Sequence, residues 1–241
     1  LAQLVTSLLF FPWPHPNEKM GTMPLLAIGW TLNYEILFYM VFAAAMLINH
    51  RYRVLISFIQ ISLLVLAGGF FAYAGNPWFD FYTNTLMLEF IFGMLVAYVA
   101  PRLKMPAWLI AVLFSAASIW FIWAIQQPVG RLDPTRWFMF GMPSAAIVLL
   151  VVAADLQGQV KTVPWLVALG NASYSLYLVH LFALGAIRAA WPLLPDSFHR
   201  SDFPLLVLAF ATSIAASLLF HYWLEKPMVK VVRGQIARFG K

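Results

Sequence analysis

The sequence predicts an all-α fold, a polytopic bundle of about seven transmembrane helices, and three observations predict it. Of 241 residues, 63% are hydrophobic and 10% charged, with a mean hydropathy of +0.82, more apolar surface than a water-soluble core can hide. Apolar segments close to twenty residues long, the length that crosses about 30 Å of hydrocarbon, recur between short polar or proline-containing loops. The aromatic share of 17%, with ten Trp, suits helix ends anchored at two membrane interfaces.

Leu1–Phe11 is an apolar run too short to span, with no initiator Met and no basic flank, and reads as the end of a helix begun upstream. Pro12-Trp13-Pro14-His15-Pro16 opens a loop; with no second ligand nearby, His15 reads as part of a rigid loop entry and not as a metal ligand. His50 and His199 lie in loops and carry the same neutral reading. Full spans are predicted at 28–48, 54–74, 81–100, 107–125, 137–154, 164–187 and 203–224. Within the second, Gly68-Gly69 is expected to permit close helix packing, because no strand–turn–helix context for a phosphate loop surrounds it. Lys226-Pro227 is expected to stop the last helix. Residues 226–241 then form a cytoplasmic basic tail whose Val231, Val232, Ile236 and Phe239 suit an anionic lipid surface. The whole of 1–241 reads as a single transmembrane domain.

The net charge of +6 points to topology and not to nucleic acid, because no soluble domain is present to carry a basic face. Ten of the 15 Lys and Arg fall in one set of alternate loops: Arg51, Arg53, Arg102, Lys104, Lys161, Lys226, Lys230, Arg233, Arg238 and Lys241. The other set holds Lys19, Arg131, Arg136, Arg188 and Arg200. The excess predicts that the first set, with the C-terminus, is cytoplasmic. The absence of Cys removes disulfides, thiolate chemistry and Cys-based metal sites.

Chemistry is expected where polar groups interrupt the spans. Trp30-Thr31-Leu32-Asn33-Tyr34-Glu35-Ile36-Leu37-Phe38-Tyr39 places a carboxylate at membrane depth, which costs roughly 2.5–3.5 kcal/mol on insertion scales. Thr31, Glu35 and Tyr39 fall at steps of four, one helical stripe, with Trp30 and Asn33 at its flanks. Ser173, Tyr177 and His180 share a second face. Glu35 and His180 are predicted at similar depth, in the outer halves of their spans, and facing one cavity. There, a carboxylate could orient an imidazole, or each could serve one side of a proton transfer. Interhelical glue, or the proton relay of a transporter, are the alternatives that these residues leave open. Glu89, on a stripe with Tyr82, Thr85 and Gly93, either lines the same cavity or pairs with a buried Tyr or His. His221 and Glu225, one turn apart, read as an ion pair at a helix end.

The wording of these segments resembles a known group. Gly29-Trp30-Thr31-Leu32-Asn33-Tyr34-Glu35 with Phe38-Tyr39, then Glu89-Phe90-Ile91-Phe92-Gly93-Met94, then Leu169 to His180, then Glu225-Lys226-Pro227 occur in the order seen in the acyltransferase 3 family, nearest its exopolysaccharide-modifying branch. The resemblance covers nearly the whole chain. It implies an integral-membrane O-acyltransferase of the bacterial inner membrane. Such an enzyme would use acyl-CoA, commonly acetyl-CoA, as co-substrate and no bound cofactor or metal, with a glycan or lipid-linked saccharide as acceptor. It marks Glu35 as the acid and His180 as the histidine of the family's motifs, here expected to be catalytic, and Trp30, Asn33, Tyr39, Glu89, Ser173 and Tyr177 around them are expected to bind substrate. The family's opening helix with its Arg and His, and its cytoplasmic Arg-x-x-Arg, are not found here. The expectation is therefore of an N-terminally truncated member. Transporters usually show paired halves, and no such symmetry is visible.

Overall fold

A computed structural model describes residues 2–13, 24–71, 76–130, 133–193 and 203–239. Pro14, His15, Pro16 and Lys19, the end of the second predicted span at 72–74, Arg131, His199, Arg200 and Lys241 lie outside the described residues. Every element among the described residues is helical, and seven helical segments are long and apolar enough to cross a membrane. The chain divides into two compact units, Leu1–Lys161 and Thr162–Lys241.

The first unit contains α1 (Ala2–Leu8), α2 (Trp30–Ile48), α3 (Arg53–Phe71), α4 (Pro77–Tyr82), α5 (Met87–Val99), α6 (Ala107–Ile125) and α7 (Met142–Leu156), the last entered through a π turn at Trp137–Gly141. Its core is aromatic and aliphatic: Tyr34 of α2 stacks on Phe81 at 4.2 Å between ring centroids, Phe38 stacks on Phe90 at 4.7 Å, and Ile61, Met87 and Ile91 fill the space beside them. Pro12, at the entry to the first loop, is fixed by the Trp78 indole, whose N–H donates to its carbonyl at 2.8 Å.

The predicted span 81–100 is interrupted. Asn76 caps α4 by accepting from the Trp78 and Phe79 N–H groups, with Pro77 pre-set for the first turn. Four residues later the regular ladder ends: the Thr83 hydroxyl joins its own N–H on the Phe79 carbonyl, at 2.7 Å, the Asn84 N–H bonds only three residues back to Phe81, and the Asn84 side chain accepts from the Leu86 N–H at 2.9 Å. The stripe expected from Tyr82 through Thr85 to Glu89 and Gly93 is thereby divided between two helices and their link. The same link explains Gly68. A Cβ there would lie 2.6 Å from the Thr83 hydroxyl and 2.7 Å from its carbonyl oxygen, while one on Gly69 would meet nothing within 4 Å. Close packing is thus the role of Gly68 alone.

The second unit contains α8 (Pro164–Asn171), α9 (Ser173–Ala190), α10 (Phe203–Phe220) and α11 (Lys226–Phe239). The single span predicted at 164–187 is two helices, because Gly170-Asn171 are weak helix formers and Ala172, buried, leaves helical geometry with φ −89° and ψ 5°. α9 packs along α10, whose buried face is small: Ala209, Ser213 and Ser217. Pro227 does not stop the chain as expected. A π turn over His221–Glu225 joins α10 to α11, and the Lys226 N–H bonds back to the His221 carbonyl. Widening the turn just before the ring accommodates the missing donor and the ring's bulk.

Candidate functional site

Polar chemistry inside the spans gathers at four places. On α2, the Tyr39 hydroxyl donates to the half-buried Glu35 carboxylate, one turn away as the spacing predicts. The Thr31 hydroxyl, at the head of the same stripe, donates to the Ile28 carbonyl at 3.3 Å. Trp30 packs edge-on against Tyr34, with centroids 6.0 Å apart. Asn33, two residues before Glu35, points roughly 200° round the helix from it and is 2% exposed, with neither amide atom hydrogen-bonded. The two expected flanking residues thus face the packed interior of their unit.

Glu89 finds a partner that the sequence reading did not name. Its Oε1 lies 3.8 Å from Arg136 Nε, and neither of these buried atoms makes a hydrogen bond, so the pair is an electrostatic contact with hydrogen-bonding capacity to spare. Both residues line a cleft of about 560 Å³ with Phe92, Gly93, Phe121, Phe140 and Ser144. Gly141 makes room for the carboxylate: a Cβ there would sit 3.1 Å from Glu89 Cγ and 3.3 Å from the Phe92 ring. The guanidinium also sits over the Phe140 ring at 5.2 Å. Arg136 is delivered by a tight turn in which Asp133 accepts from the Thr135 hydroxyl at 2.6 Å and from its N–H at 2.8 Å, while the Arg136 N–H bonds the Asp133 carbonyl. The Thr135 hydroxyl, and then its N–H, hold the Asp133 carboxyl below its ordinary range. A signal for Arg136 was present: it abuts the predicted start of a span, where a basic residue can reach an intramembrane acid.

His180, on α9, lines a largely apolar cleft of about 530 Å³ with Ser173 and Tyr177, the stripe predicted, and with Ser213, Leu206 and Phe210 of α10. Its Nδ1 is 2.8 Å from the Tyr177 carbonyl and 3.0 Å from that of Leu176. Two acceptors at one nitrogen require that nitrogen to carry the proton. In the neutral ring Nε2 is then the atom with a lone pair, and the main chain fixes the tautomer.

The predicted His221–Glu225 pair is present, Nδ1 to Oε2 at 3.0 Å. Ser175, fully buried, donates to the same oxygen, a link that sequence reasoning missed. Because both donors end on one carboxylate oxygen, histidine does not stand between serine and acid. The arrangement ties α9 to the π turn and does not activate a nucleophile. Among the described residues no group of three His, Asp or Glu could hold a metal ion.

Comparison with known proteins identifies the family to which these helices belong. Residues 2–222 match the acyltransferase 3 family, described as an acyltransferase domain. "Exopolysaccharide production protein ExoZ" of Rhizobium meliloti (strain 1021) is 27% identical over 241 residues, covering 99% of this chain and 72% of that protein. No solved structure matches. A match running through both units, over seven apolar helices, concerns the architecture and not a local motif, and on that ground the chain is an integral membrane protein and belongs to the acyltransferase 3 family.

Proposed function

We propose that this protein transfers an acyl group, in the simplest case acetyl, from acyl-CoA to a hydroxyl of a cell-surface glycan such as exopolysaccharide or O-antigen, or of its lipid-linked precursor. The observation that carries this reading is His180: its Nδ1 is committed to main-chain carbonyls, which leaves Nε2 as a base lining a cleft. In the reaction the base removes the acceptor's hydroxyl proton, the oxygen attacks the thioester carbonyl, the C–S bond breaks, and the thiolate leaves to be protonated as CoA. Glu35, bonded by Tyr39, supplies a second acid–base group. The wall beside His180 is largely apolar, a surface that disfavours water, which would otherwise hydrolyse the thioester. The printed name of the Rhizobium relative supports an exopolysaccharide acceptor, the charge bias of the loops supports a cytoplasmic C-terminus, and the bacterial inner membrane is the location that fits such a reaction.

The test uses cells expressing the protein from its complete coding sequence, with glycan-bound acyl groups released by mild alkali and quantified. Glu35→Gln and His180→Gln are each expected to lower acylation at least about a hundredfold, the low end of general acid–base contributions, with the protein still accumulating in the membrane. Acylation near the parental level in either variant would overturn the role assigned to that residue.

A further inference from the structure

Lys226, Lys230 and Arg233 follow one another at steps of four and three, which sets all three on one face of α11. In sequence they read as topology signals. The fold gives them a wall: Asn171 at the end of α8 and His221 and Tyr222 on the π turn close, with this face, a cleft of about 570 Å³. Charge within it is unbalanced. The only carboxylate lining the cleft is Glu225, whose Oε2 is already held by Ser175 and His221. Lys226 lies over the Tyr222 ring at 5.5 Å, and among the described residues neither Lys230 nor Arg233 has a carboxylate within 4.0 Å. Three exposed cations on one helix face, one engaged anion, and the Asn171 amide as a neutral hydrogen-bonding group suit an anion of more than one negative charge. A guanidinium fork beside ammonium groups is the side-chain set that recognises phosphate oxygens.

We propose that this cleft is a phosphate-binding site, filled by a phosphate group on an anionic lipid headgroup or on a soluble phosphorylated molecule. The site is separate from the cleft of His180, and its occupancy does not depend on the acyl-transfer reading.

The experiment takes the purified chain in phosphatidylcholine nanodiscs and titrates inorganic pyrophosphate by calorimetry. A parallel sample contains phosphatidylglycerol, with retained lipid counted by native mass spectrometry. Lys230→Gln with Arg233→Gln is expected to weaken binding of the relevant probe at least about tenfold. Arg51→Gln with Arg53→Gln, the same charge change in another loop, is expected to leave it unchanged. A matched pair separates a pocket from diffuse attraction. Val229→Glu places an anion inside the cleft and should abolish binding, whereas Val231→Glu, on an exposed position outside it, should not. Pyrophosphate binding without lipid retention supports the soluble source, and phosphatidylglycerol retention supports the headgroup. If neither probe binds, if the two Glu variants weaken binding equally, or if the Arg51/Arg53 pair matters as much as Lys230/Arg233, the proposal fails.

Discussion

Gly68 and Gly69 are neighbours in one helix, yet the structure predicts opposite signs for the same substitution. Alanine at either position gains about 0.5–1 kcal/mol by restricting the unfolded backbone and improving helix propensity. At Gly69 nothing opposes that gain, since the new methyl meets no atom within 4 Å. At Gly68 the methyl would lie 2.6 Å from the Thr83 hydroxyl, 2.7 Å from its Cβ and 2.7 Å from its carbonyl oxygen, all well inside van der Waals contact. Overpacking costs about 1–3 kcal/mol, and the upper part of that range applies because a backbone oxygen cannot rotate away. Gly68→Ala should therefore destabilise by about 1–2 kcal/mol while Gly69→Ala stabilises by up to about 1 kcal/mol. At about 2–4 °C per kcal/mol for a chain of this length, thermal unfolding midpoints of the two detergent-solubilised variants should differ by about 4–12 °C. Adding Thr83→Ala to Gly68→Ala removes the hydroxyl but neither the Cβ nor the carbonyl, so it should recover little. Equal midpoints for the two alanine variants would refute the close approach of α3 to the link between α4 and α5.

Other outcomes follow from the remaining contacts. Ser175→Ala removes a charge-assisted hydrogen bond to a partly exposed carboxylate and should cost about 1–2 kcal/mol, and combining it with Glu225→Gln should cost less than the sum; additivity in thermal unfolding would show that the two side chains are not coupled. Arg136→Gln leaves the Glu89 carboxylate without its counter-charge, so membrane-protein yield should fall below that of the Glu89→Gln/Arg136→Gln double variant, and equal yields would show the 3.8 Å contact to be idle. Asp133 binds its proton below the ordinary carboxylate value, so what the Thr135 bonds contribute is present in full above pH 3.8 and disappears as pH falls through the lower folded value. Thr135→Val should move the Asp133 carboxyl titration, followed by its carbon chemical shift, upward toward the ordinary value; an unmoved titration would contradict the hydroxyl bond.

The stripes were legible in the sequence because α2 and α9 are regular where they matter: Tyr39 reaches Glu35, and Ser173, Tyr177 and His180 share one cleft, as steps of three and four require. Where regularity lapses, so did legibility. The breaks at Thr83–Leu86 and at Ala172 lie inside apolar runs whose composition suits one unbroken helix, and only local bonds from Thr83 and Asn84, or a Gly-Asn pair, mark them. Pro227 carried the opposite signal, a stop that a widened turn absorbed. Arg136 and Ser175 were missed for a shared reason. Each acts on a residue far away in sequence, Glu89 in one case and Glu225 in the other, and periodicity speaks only for neighbours on one helix.

The π turn has a geometric consequence. Because α10 runs through it into α11 with no break in helical hydrogen bonding, the helical segment Phe203–Gln235 is one element of 33 residues, roughly 50 Å of contour against a hydrocarbon core of about 30 Å. One end of this shaft walls the cleft of His180 with Leu206, Phe210 and Ser213, and the other presents Lys226, Lys230 and Arg233. The Ser175 bond to Glu225 ties α9 to this element just before its basic end.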